Sequence, residues 1–595
     1  MRPIKPLLNQ ISWDRGYPFS DKYDDIYYQD DVINETTHVF LDSNNLLKRW
    51  SSIEEREFNI GELGFGLGLN FFITLKNWIE TKRKCSHLNF ISFDKYAPKR
   101  KDIKKIQSLY PELKDVIELY LKYAPVLFGG INKIKIQEYN ATLLLVIDNI
   151  EDGLDSVMHN KSMVDAWYFD GFDPRKNIDM WTTDVFLKVA LLSHEKTSFG
   201  TYTSSGMVKR NLLECGFEVQ KVKGFNKKRH MLAGTYIKNK KTHYSSYKVA
   251  VIGSGLAASI ISKNLANNNC KVDVYEKNSE IASEASSNPW AAMYPKLALG
   301  DDPRSFFLIQ SYFFALNFYI DNFKDFVNSG ILFLSNSDHR KDWLDRLIKI
   351  DRSDVFEEID KEVINDKNNI SQSYSGVLCK FGGAISPKAV SEKCLNHKNI
   401  TIHTNSEYKN HSIKNNKVYL NIKDYKNTDS YDYLVICSGT GIYNHVDKVN
   451  TMKGAIVGID NNKLKDIKQP LNHSGYILPS QDQINWIGSS YEKGEEKLSD
   501  EALKDEILQK TKKIISFEEK NIKKFWSGVR TTTPDRLPLA GRLDHEKVYC
   551  IGALASRGLS FAPLLADFIT CEVLGLFSPL RKDVKEALSP SRFKS

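Results

Sequence analysis

The sequence ELGFGLG, at residues 62–68, follows a strand-like stretch at 57–60 and precedes a predicted helix that opens at Asn70. A strand, a glycine turn and a helix in this order form the ligand-binding corner of a Rossmann-like fold. The glycines let the backbone turn tightly, and the following helix offers free N–H groups at its N-terminus. This stretch therefore predicts an open α/β sheet with a ligand crevice in the N-terminal part of the chain.

Three further predicted strands, at 88–93, 142–147 and 164–169, each end at an acidic residue. These acids are Asp94, Asp148 and Asp170. Because ligands of open α/β sheets bind at the carboxyl ends of the strands, we expect the acids to meet in one crevice. Asp94 is placed to accept the ribose hydroxyls of a nucleoside, and Asp148 to approach an adenine edge.

A second glycine loop, VAVIGSGLAA, occupies residues 249–258. Its pattern is Gly253-x-Gly255-x-x-Ala258, and the next predicted strand ends at Glu276, 21 residues after Gly255. This combination is typical of a dinucleotide-binding fold, and the acid favours an unphosphorylated ribose, that of FAD or NAD. The chain therefore combines two different nucleotide sites.

The 595 residues are too many for one ordinary core. A polar basic stretch at 238–246 predicts a linker between domains at 1–240 and 247–595. We expect the second domain to be discontinuous, with an inserted α+β substrate domain at roughly 300–430. The predicted fold class is thus α/β, with one Rossmann-like domain in each half.

The net charge, the cysteines and the absence of long apolar runs limit the partners and the cellular location that we expect. The net charge of +9 permits an anionic partner but does not demand one. The eight cysteines form no C-x-x-C pair, so we expect no metal site. No secretory signal and no membrane-spanning run is evident, and a cytoplasmic protein is expected.

The first loop resembles motif I of the S-adenosylmethionine-dependent methyltransferases, and it lacks the lysine of a P-loop. This resemblance implies six contacts with S-adenosylmethionine: Glu62, Gly64, Gly66, Gly68, Asp94 and Asp148.

Residues 164–181, VDAWYFDGFDPRKNIDMW, resemble the methyltransferase half of a family of bacterial bifunctional enzymes. That family makes 5-methylaminomethyl-2-thiouridine at the wobble position of tRNA. The resemblance implies that Asp170 orients the amine of an aminomethyl uridine and accepts its proton. It also makes Lys227 and Arg229 candidate substrate contacts. The family usually has alanine where this chain has Asp173, whose role is left open.

Residues 526–541, WSGVRTTTPDRLPLAG, and 551–563, IGALASRGLSFAP, resemble the glycine and D-amino-acid oxidases. This implies FAD as cofactor and Arg530 as the clamp for a substrate carboxylate, with Arg557 as the second arginine. Either arginine could instead form a buried ion pair. Tyr476 is implied as a wall of the substrate pocket. The implied FAD contacts are Gly253, Ser254, Gly255, Ala258, Glu276, Arg557 and Gly558.

The bifunctional family carries such an oxidase as its second half, so the resemblance spans nearly the whole chain. It implies oxidative removal of the carboxymethyl group of 5-carboxymethylaminomethyl-(2-thio)uridine, followed by N-methylation of the 5-aminomethyl product. The implied partner is tRNA, and we expect a monomer with no membrane or metal partner. Ser287 stands where the family commonly has glycine, which leaves the loop geometry near the flavin open.

Two other hypotheses fit the same motifs. One is an amino-acid oxidase fused to a small-amine methyltransferase, which would turn over free glycine or sarcosine. The other is a binding or sensing module with vestigial sites, which would bind the cofactors without turning over modified tRNA.

Overall fold

The computed structural model describes residues 3–593 except 14–15, 29–30, 53–56, 159–162, 227, 239–245, 297, 299, 425–428 and 493–497. Most of the predicted linker at 238–246 lies outside the described residues. The chain divides into two compact units. The first comprises Met1–Ser245, Leu299–Phe306 and Leu574–Lys582, and the second comprises Ser246–Ala298, Phe307–Val573 and Asp583–Ser595.

An eight-stranded sheet forms the centre of the first unit. Its strands, in spatial order, are Phe217–Lys223, His230–Tyr236, Ser193–Thr201, Val164–Phe169, Glu57–Leu63, His87–Asp94, Ala141–Ile147 and Gly130–Ile136. The five strands from Ser193–Thr201 to Ala141–Ile147 are parallel, and the others pair antiparallel. A small sheet of Ile11–Ser12, Phe19–Ser20 and Asp25–Ile26 precedes them.

Helices cover both faces of this sheet, as a parallel sheet requires. The described α-helices are Val32–Thr36, Leu46–Ser52, Leu69–Glu80, Arg100–Leu109, Lys114–Tyr123, Ile150–Val157, Thr183–Leu191 and Gly206–Glu214, and Thr37–Asp42 is a π-helix. The strand Ala141–Ile147 is buried along its whole length. Leu143 and Leu145 belong to one apolar cluster, and Leu144 and Val146 to another. Alternate side chains of this one strand therefore pack into two apolar cores, one on each face of the sheet.

The second unit contains two large sheets. The first has the order Ile400–His403, Lys271–Tyr275, Lys248–Ile252, Tyr433–Ile436, Val548–Gly552 and Leu539–Arg542, and only its last pair is antiparallel. The second has the order Phe356–Ile359, Gly376–Cys379, Ile331–Leu334, Leu471–Asn472, Tyr476–Ile477, Asn485–Tyr491, Asn450–Ile459 and Ile522–Thr532. Two three-stranded sheets complete the strands: Ala291–Met293, Gly383–Ile385 and Val327–Asn328, then Tyr408–Lys414, Lys417–Ile422 and Ser430–Tyr431.

The described α-helices of the second half are Leu256–Asn267, Pro303–Asn322, Asp338–Ile348, Lys361–Asn368, Pro387–Leu395, Asp500–Lys512, Gly558–Leu574 and Lys582–Leu588. Among the described residues, no helix combines the length and apolarity needed to cross a membrane. The parallel sheet that begins at Lys248–Ile252 is interrupted in sequence by the strands of the larger sheet. The predicted fold class, with a Rossmann-like sheet in each half and an α+β part inserted in the second, is confirmed.

Candidate cofactor sites

The first crevice lies at the carboxyl ends of the parallel strands of the first unit. It encloses about 690 Å³, which is within the range of small-molecule sites. From strand Glu57–Leu63 the chain continues into the strands on one side, and it later returns to Val164–Phe169 on the other side. Such a reversal of strand order is where doubly wound sheets bind ligands.

The first glycine loop forms part of the wall of this crevice. Gly64, Gly66 and Gly68 have φ angles of +94°, +56° and +80°, which residues with side chains rarely adopt. A Cβ atom on Gly64 would lie 3.2 Å from the carbonyl oxygen of Asp170. Gly64 and Gly66 line the cavity, so a ligand there would pass close to the backbone.

Asp94 lines the crevice where the second strand ends. Its carboxylate accepts hydrogen bonds from the backbone N–H groups of Gly66 at 2.8 Å and Tyr96 at 2.9 Å. Burial raises the pKa of Asp94 to about 6, although these hydrogen bonds lower it. A carboxylate fixed beside the loop in this way stays the candidate acceptor for ribose hydroxyls.

Asp148 lines the same crevice beyond strand Ala141–Ile147. Its carboxylate lies 3.3 Å from Nη1 of Arg581, which belongs to the same compact unit. Burial raises the pKa of Asp148, while Arg581 opposes that rise. Arg581 is a residue that the sequence patterns did not connect with this site.

Glu62 lies beneath the loop and is fully buried. It is not among the described residues that line the cavity. The hydroxyl of Ser92 donates to its Oε2 atom at 2.5 Å, and its Oε1 atom has no hydrogen-bond partner among the described residues. Burial raises the pKa of this carboxyl to about 8. Glu62 therefore supports the loop from below and carries a proton at neutral pH when no cation is near.

We expect the free energy of unfolding of the first unit, without ligand, to fall as the pH rises from about 5 to 8. Folded Glu62 keeps a proton that the unfolded chain releases near pH 4.5. Because folded Glu62 binds this extra proton throughout the window, Glu62 alone costs up to about 1.4 kcal/mol of stability for each pH unit. Chemical denaturation at several pH values should show a shallower decline for Glu62→Gln. Equal pH slopes for the two proteins would contradict this account.

Asp170 lies at the end of strand Val164–Phe169 and lines the crevice. The amide of Asn70 donates to its Oδ2 atom at 2.7 Å, and the buried hydroxyl of Thr36 donates to the amide oxygen of Asn70 at 2.9 Å. This chain of hydrogen bonds fixes which way the Asn70 amide faces. Burial raises the pKa of Asp170 to about 6, against the hydrogen bonds from Gly171 and Asn70. Asp170 is therefore a positioned carboxylate whose proton affinity is higher than usual.

The described lining of the crevice is strongly acidic. It contains two lysines, Lys95 and Lys228, and nine carboxylates. The carboxylates are Asp25, Glu35, Asp94, Asp148, Glu151, Asp152, Asp170, Asp173 and Asp179. Such a lining attracts cationic groups, including sulfonium and ammonium ions, and repels anions.

Aromatic rings form the mouth of the crevice. Tyr23 stacks on Phe172 with ring centroids 4.6 Å apart, and the hydroxyl of Tyr202 donates to the carbonyl of Gly171 at 2.7 Å. Lys228 lies over the ring of Tyr202 at 4.7 Å. These rings come from distant parts of the sequence and were not predicted.

Neither of the two predicted substrate contacts, Lys227 and Arg229, is among the described residues that line this crevice. Lys227 lies outside the described residues, and Arg229 is exposed. Lys228, between them, lines the cavity and pairs with Glu35 at 3.1 Å. Asp173 also lines the cavity, but Arg175 holds its carboxylate through two hydrogen bonds and the pKa falls to about 2.

The second crevice lies at the corresponding edge of the second unit and encloses about 410 Å³. Gly253 has a φ of +95°, and a Cβ atom there would lie 2.5 Å from the carbonyl oxygen of Cys437. Gly255 and Gly558 also line the cavity. The buried hydroxyl of Ser438 lines it too and has no hydrogen-bond partner among the described residues. A glycine cradle and an unpaired polar group fit a dinucleotide here.

Glu276 follows strand Lys271–Tyr275 and is buried beside the glycine loop. Its carboxylate accepts hydrogen bonds from the hydroxyl of Ser254 at 2.6 Å and the backbone N–H of Ser254 at 3.1 Å. The backbone N–H of Asn278 donates to its other oxygen at 2.9 Å. Both Glu276 and Ser254 line the cavity, and a carboxylate retains further acceptor capacity for ribose hydroxyls.

Ala258, Arg557 and Tyr476 are not among the described residues that line this cavity. Ala258 is buried in the helix Leu256–Asn267 and packs within the unit. The guanidinium of Arg557 lies over the ring of Tyr294 at 5.3 Å, and Tyr476 is buried on the large sheet.

Arg530 does line the second cavity. Its Nη1 atom is buried and has no hydrogen-bond partner among the described residues. An unpaired buried donor of this kind is costly unless a ligand satisfies it. The arrangement thus favours the clamp hypothesis for Arg530 over the ion-pair alternative.

Comparisons with known proteins match both units. The sequence profile of S-adenosyl-L-methionine-dependent methyltransferases matches residues 111–237, and that of FAD dependent oxidoreductases matches residues 248–571. The second match covers more than half of the chain. The glycine oxidase from Geobacillus kaustophilus has the same fold over 59% of this chain and 100% of its own, with a TM-score of 0.51 and 17% sequence identity.

Relatives extend over nearly the full length. The tRNA 5-methylaminomethyl-2-thiouridine biosynthesis bifunctional protein MnmC of Legionella pneumophila (strain Lens) is 27% identical over 99% of this chain and 98% of its own. The protein of the same name from Idiomarina loihiensis is 29% identical over 98% of both chains. The chain belongs to the family of FAD-dependent oxidoreductases and is a bifunctional enzyme that joins an FAD-dependent oxidoreductase to an S-adenosyl-L-methionine-dependent methyltransferase.

Proposed function

We propose that this enzyme modifies the wobble uridine of tRNA in two successive reactions. The first removes the carboxymethyl group of 5-carboxymethylaminomethyl-(2-thio)uridine by oxidation, and the second methylates the 5-aminomethyl product. The observation that carries this proposal is the full-length match to relatives named for 5-methylaminomethyl-2-thiouridine biosynthesis in tRNA. Both crevices of the structure are needed for such a pair of reactions.

In the oxidation, Arg530 holds the substrate carboxylate. Bound FAD supplies a two-electron acceptor for the bond between the amine nitrogen and the glycine-side carbon. The guanidinium offers a planar fork that matches a carboxylate with two parallel hydrogen bonds. Fixing the carboxylate aims the adjacent C–H bond, so positioning supplies much of the catalysis. Water then releases the carboxylate fragment and leaves the primary amine on the uridine.

In the methylation, Asp170 orients the primary amine and accepts its proton. Bound S-adenosylmethionine supplies the methyl group. The amine must be neutral to attack, and a carboxylate with a pKa near 6 is a suitable proton acceptor close to neutral pH. The amide of Asn70 donates to Oδ2 of Asp170 and the backbone N–H of Gly171 donates to Oδ1, so both oxygens of this carboxylate are held in place beside the crevice.

The charges of the two crevices support this order of reactions. The carboxylate of the precursor suits the crevice that contains Arg530, and the nine carboxylates of the other crevice disfavour that group. Once the carboxylate is lost, the product is a cation, which the acidic crevice attracts. Electrostatics thus favours oxidation before methylation.

The tRNA itself should contact basic residues of the first unit. We assign this role to Lys227 and Arg229, the first of which lies outside the described residues, and Lys228 lines the cavity. A cytoplasmic monomer is consistent with this function, and size-exclusion chromatography tests the oligomeric state.

Purified enzyme tests the proposal directly. With tRNA that carries 5-carboxymethylaminomethyl-uridine, nucleoside mass spectrometry should show the 5-aminomethyl form, and adding S-adenosylmethionine should yield the 5-methylaminomethyl form. Free glycine and sarcosine serve as competing substrates. Comparable turnover of these small molecules would support the alternative of a small-molecule oxidase and contradict a tRNA-directed enzyme.

Glu276→Gln should weaken FAD binding by about ten-fold, because a charged acceptor for the ribose hydroxyls becomes a neutral one. The change keeps the size of the side chain and leaves methylation unaffected. Flavin absorbance after dialysis against graded FAD concentrations gives the affinity. Retention of FAD at wild-type affinity would remove Glu276 from the cofactor site.

A further inference from the structure

Strand Ile522–Thr532 presents Trp526, Gly528 and Arg530 on one face, because strand side chains alternate. Gly528 lies opposite Gly454 of the neighbouring strand Asn450–Ile459. A Cβ atom on Gly528 would lie 2.7 Å from the Trp526 ring, and one on Gly454 would lie 2.0 Å from Nη1 of Arg530. The two glycines therefore leave room for the ring and the guanidinium to lie close to the sheet.

The guanidinium of Arg530 lies close to two aromatic rings. Its central carbon lies 5.4 Å from the ring centroid of Tyr491 and 5.7 Å from that of Trp526. Both distances are within the range of cation–π attraction. These contacts hold the group without using its N–H donors, and Nη1 remains without a hydrogen-bond partner among the described residues. The donors thus stay available for an anion.

Trp526 is itself held by Ser287, 239 positions earlier in the chain. Its indole N–H donates to the hydroxyl oxygen of Ser287 at 3.0 Å. The same hydroxyl donates to the carbonyl of Glu284 at 2.7 Å, so its proton points away and its lone pair faces the indole. The bifunctional family that the sequence resembles commonly has glycine at this position. A glycine has no side-chain oxygen to accept the hydrogen bond of the indole.

We propose that Ser287 and Trp526 are positioning residues for the carboxylate of the amine substrate. Ser287 fixes the indole, and the indole and Tyr491 together fix the plane of Arg530. The hydroxyl at position 287 thereby sets how tightly the oxidoreductase unit binds a carboxymethylamino group. The proposal rests on the proposed role of Arg530 in binding that carboxylate.

Kinetics of the holoenzyme on carboxymethylaminomethyl-tRNA test the proposal. Ser287→Ala and Trp526→Phe should each raise KM by about three- to ten-fold, the usual effect of one lost hydrogen bond, with kcat changed less than two-fold. Ser287→Thr keeps the acceptor and should stay close to wild type. Ser335→Ala is the matched control, since that exposed hydroxyl also donates to a carbonyl, that of Ser375 at 2.8 Å, whereas the indole N–H of Trp526 donates to Ser287.

The double variant Ser287→Ala/Trp526→Phe distinguishes a shared positioning role from independent destabilisation of the protein by each substitution. Ser287 acts through its hydrogen bond to the indole, so the double variant should be no worse than Trp526→Phe alone. Additive losses would overturn the proposal, and so would an unchanged KM in Ser287→Ala.

Calorimetric titration with sarcosine tests the inference apart from turnover. The dissociation constant of sarcosine should rise three- to ten-fold in Ser287→Ala, about as much as KM does. If the wild type fails to oxidise the tRNA but this shift in binding appears, the proposed substrate is wrong and the positioning role stands. If oxidation proceeds normally and the shift is absent, the positioning role is overturned alone.

Discussion

Replacing Asp170 with alanine should reduce methyl transfer by about 10²- to 10⁴-fold, the usual contribution of a positioned general base. The primary amine then loses the group that orients it and accepts its proton. Oxidation should stay within about two-fold of wild type, because the two crevices lie in separate compact units and share no lining residue among those described. The 5-aminomethyl nucleoside should therefore accumulate on tRNA.

Single-turnover methylation of 5-aminomethyl-tRNA measures this effect without interference from the oxidase. Asp155→Ala is the matched control, since this carboxylate is in the same unit but pairs with Lys188 at 2.6 Å. Binding of S-adenosylmethionine by calorimetry shows whether the cofactor site is intact. Methylation at the wild-type rate by the Asp170 variant would exclude Asp170 from the reaction.

Arg530→Lys should impair oxidation of carboxymethylaminomethyl-tRNA by roughly ten-fold to a thousand-fold, a loss of about 1.4–4 kcal/mol of transition-state stabilisation. Lysine keeps the positive charge but loses the planar fork that binds both carboxylate oxygens. An ammonium group also packs less well than a guanidinium against the rings of Tyr491 and Trp526. FAD content and methylation of 5-aminomethyl-tRNA should stay near normal.

Steady-state kinetics on the two tRNA substrates measure this prediction. Arg346→Lys is the matched control, because that arginine is in the same unit and its guanidinium donates locally to the carbonyl of Asp342 at 3.3 Å. Unchanged oxidation, or an equal loss of both activities, would show that Arg530 is a structural residue.

The sequence predicted the fold class and much of the first crevice because both depend on local patterns. Apolar runs bounded by glycines mark buried parallel strands, and acids at their carboxyl ends converge on one edge of a sheet. Asp94, Asp148 and Asp170 do line one cavity. Glu62 differs, because its position inside the strand Glu57–Leu63 buries the side chain beneath the loop.

Contacts between distant residues could not be predicted in this way. Thr36 meets Asn70 across 34 positions, and Ser287 meets Trp526 across 239. Such pairs depend on how helices and sheets pack against one another. Local patterns in the sequence carry no information about this packing. Ser287 was visible in the sequence only as a departure from the usual glycine, and its partner appears only in the structure.

The nucleosides of tRNA from a strain that lacks the gene test the central claim most directly. Mass spectrometry should show 5-carboxymethylaminomethyl-uridine without complementation, the 5-aminomethyl form with the Asp170→Ala protein, and the 5-methylaminomethyl form with wild type. Arg530→Lys should leave a large share of the carboxymethylaminomethyl precursor. An unchanged nucleoside pattern in the deletion strain would contradict the assignment of both activities to the wobble uridine.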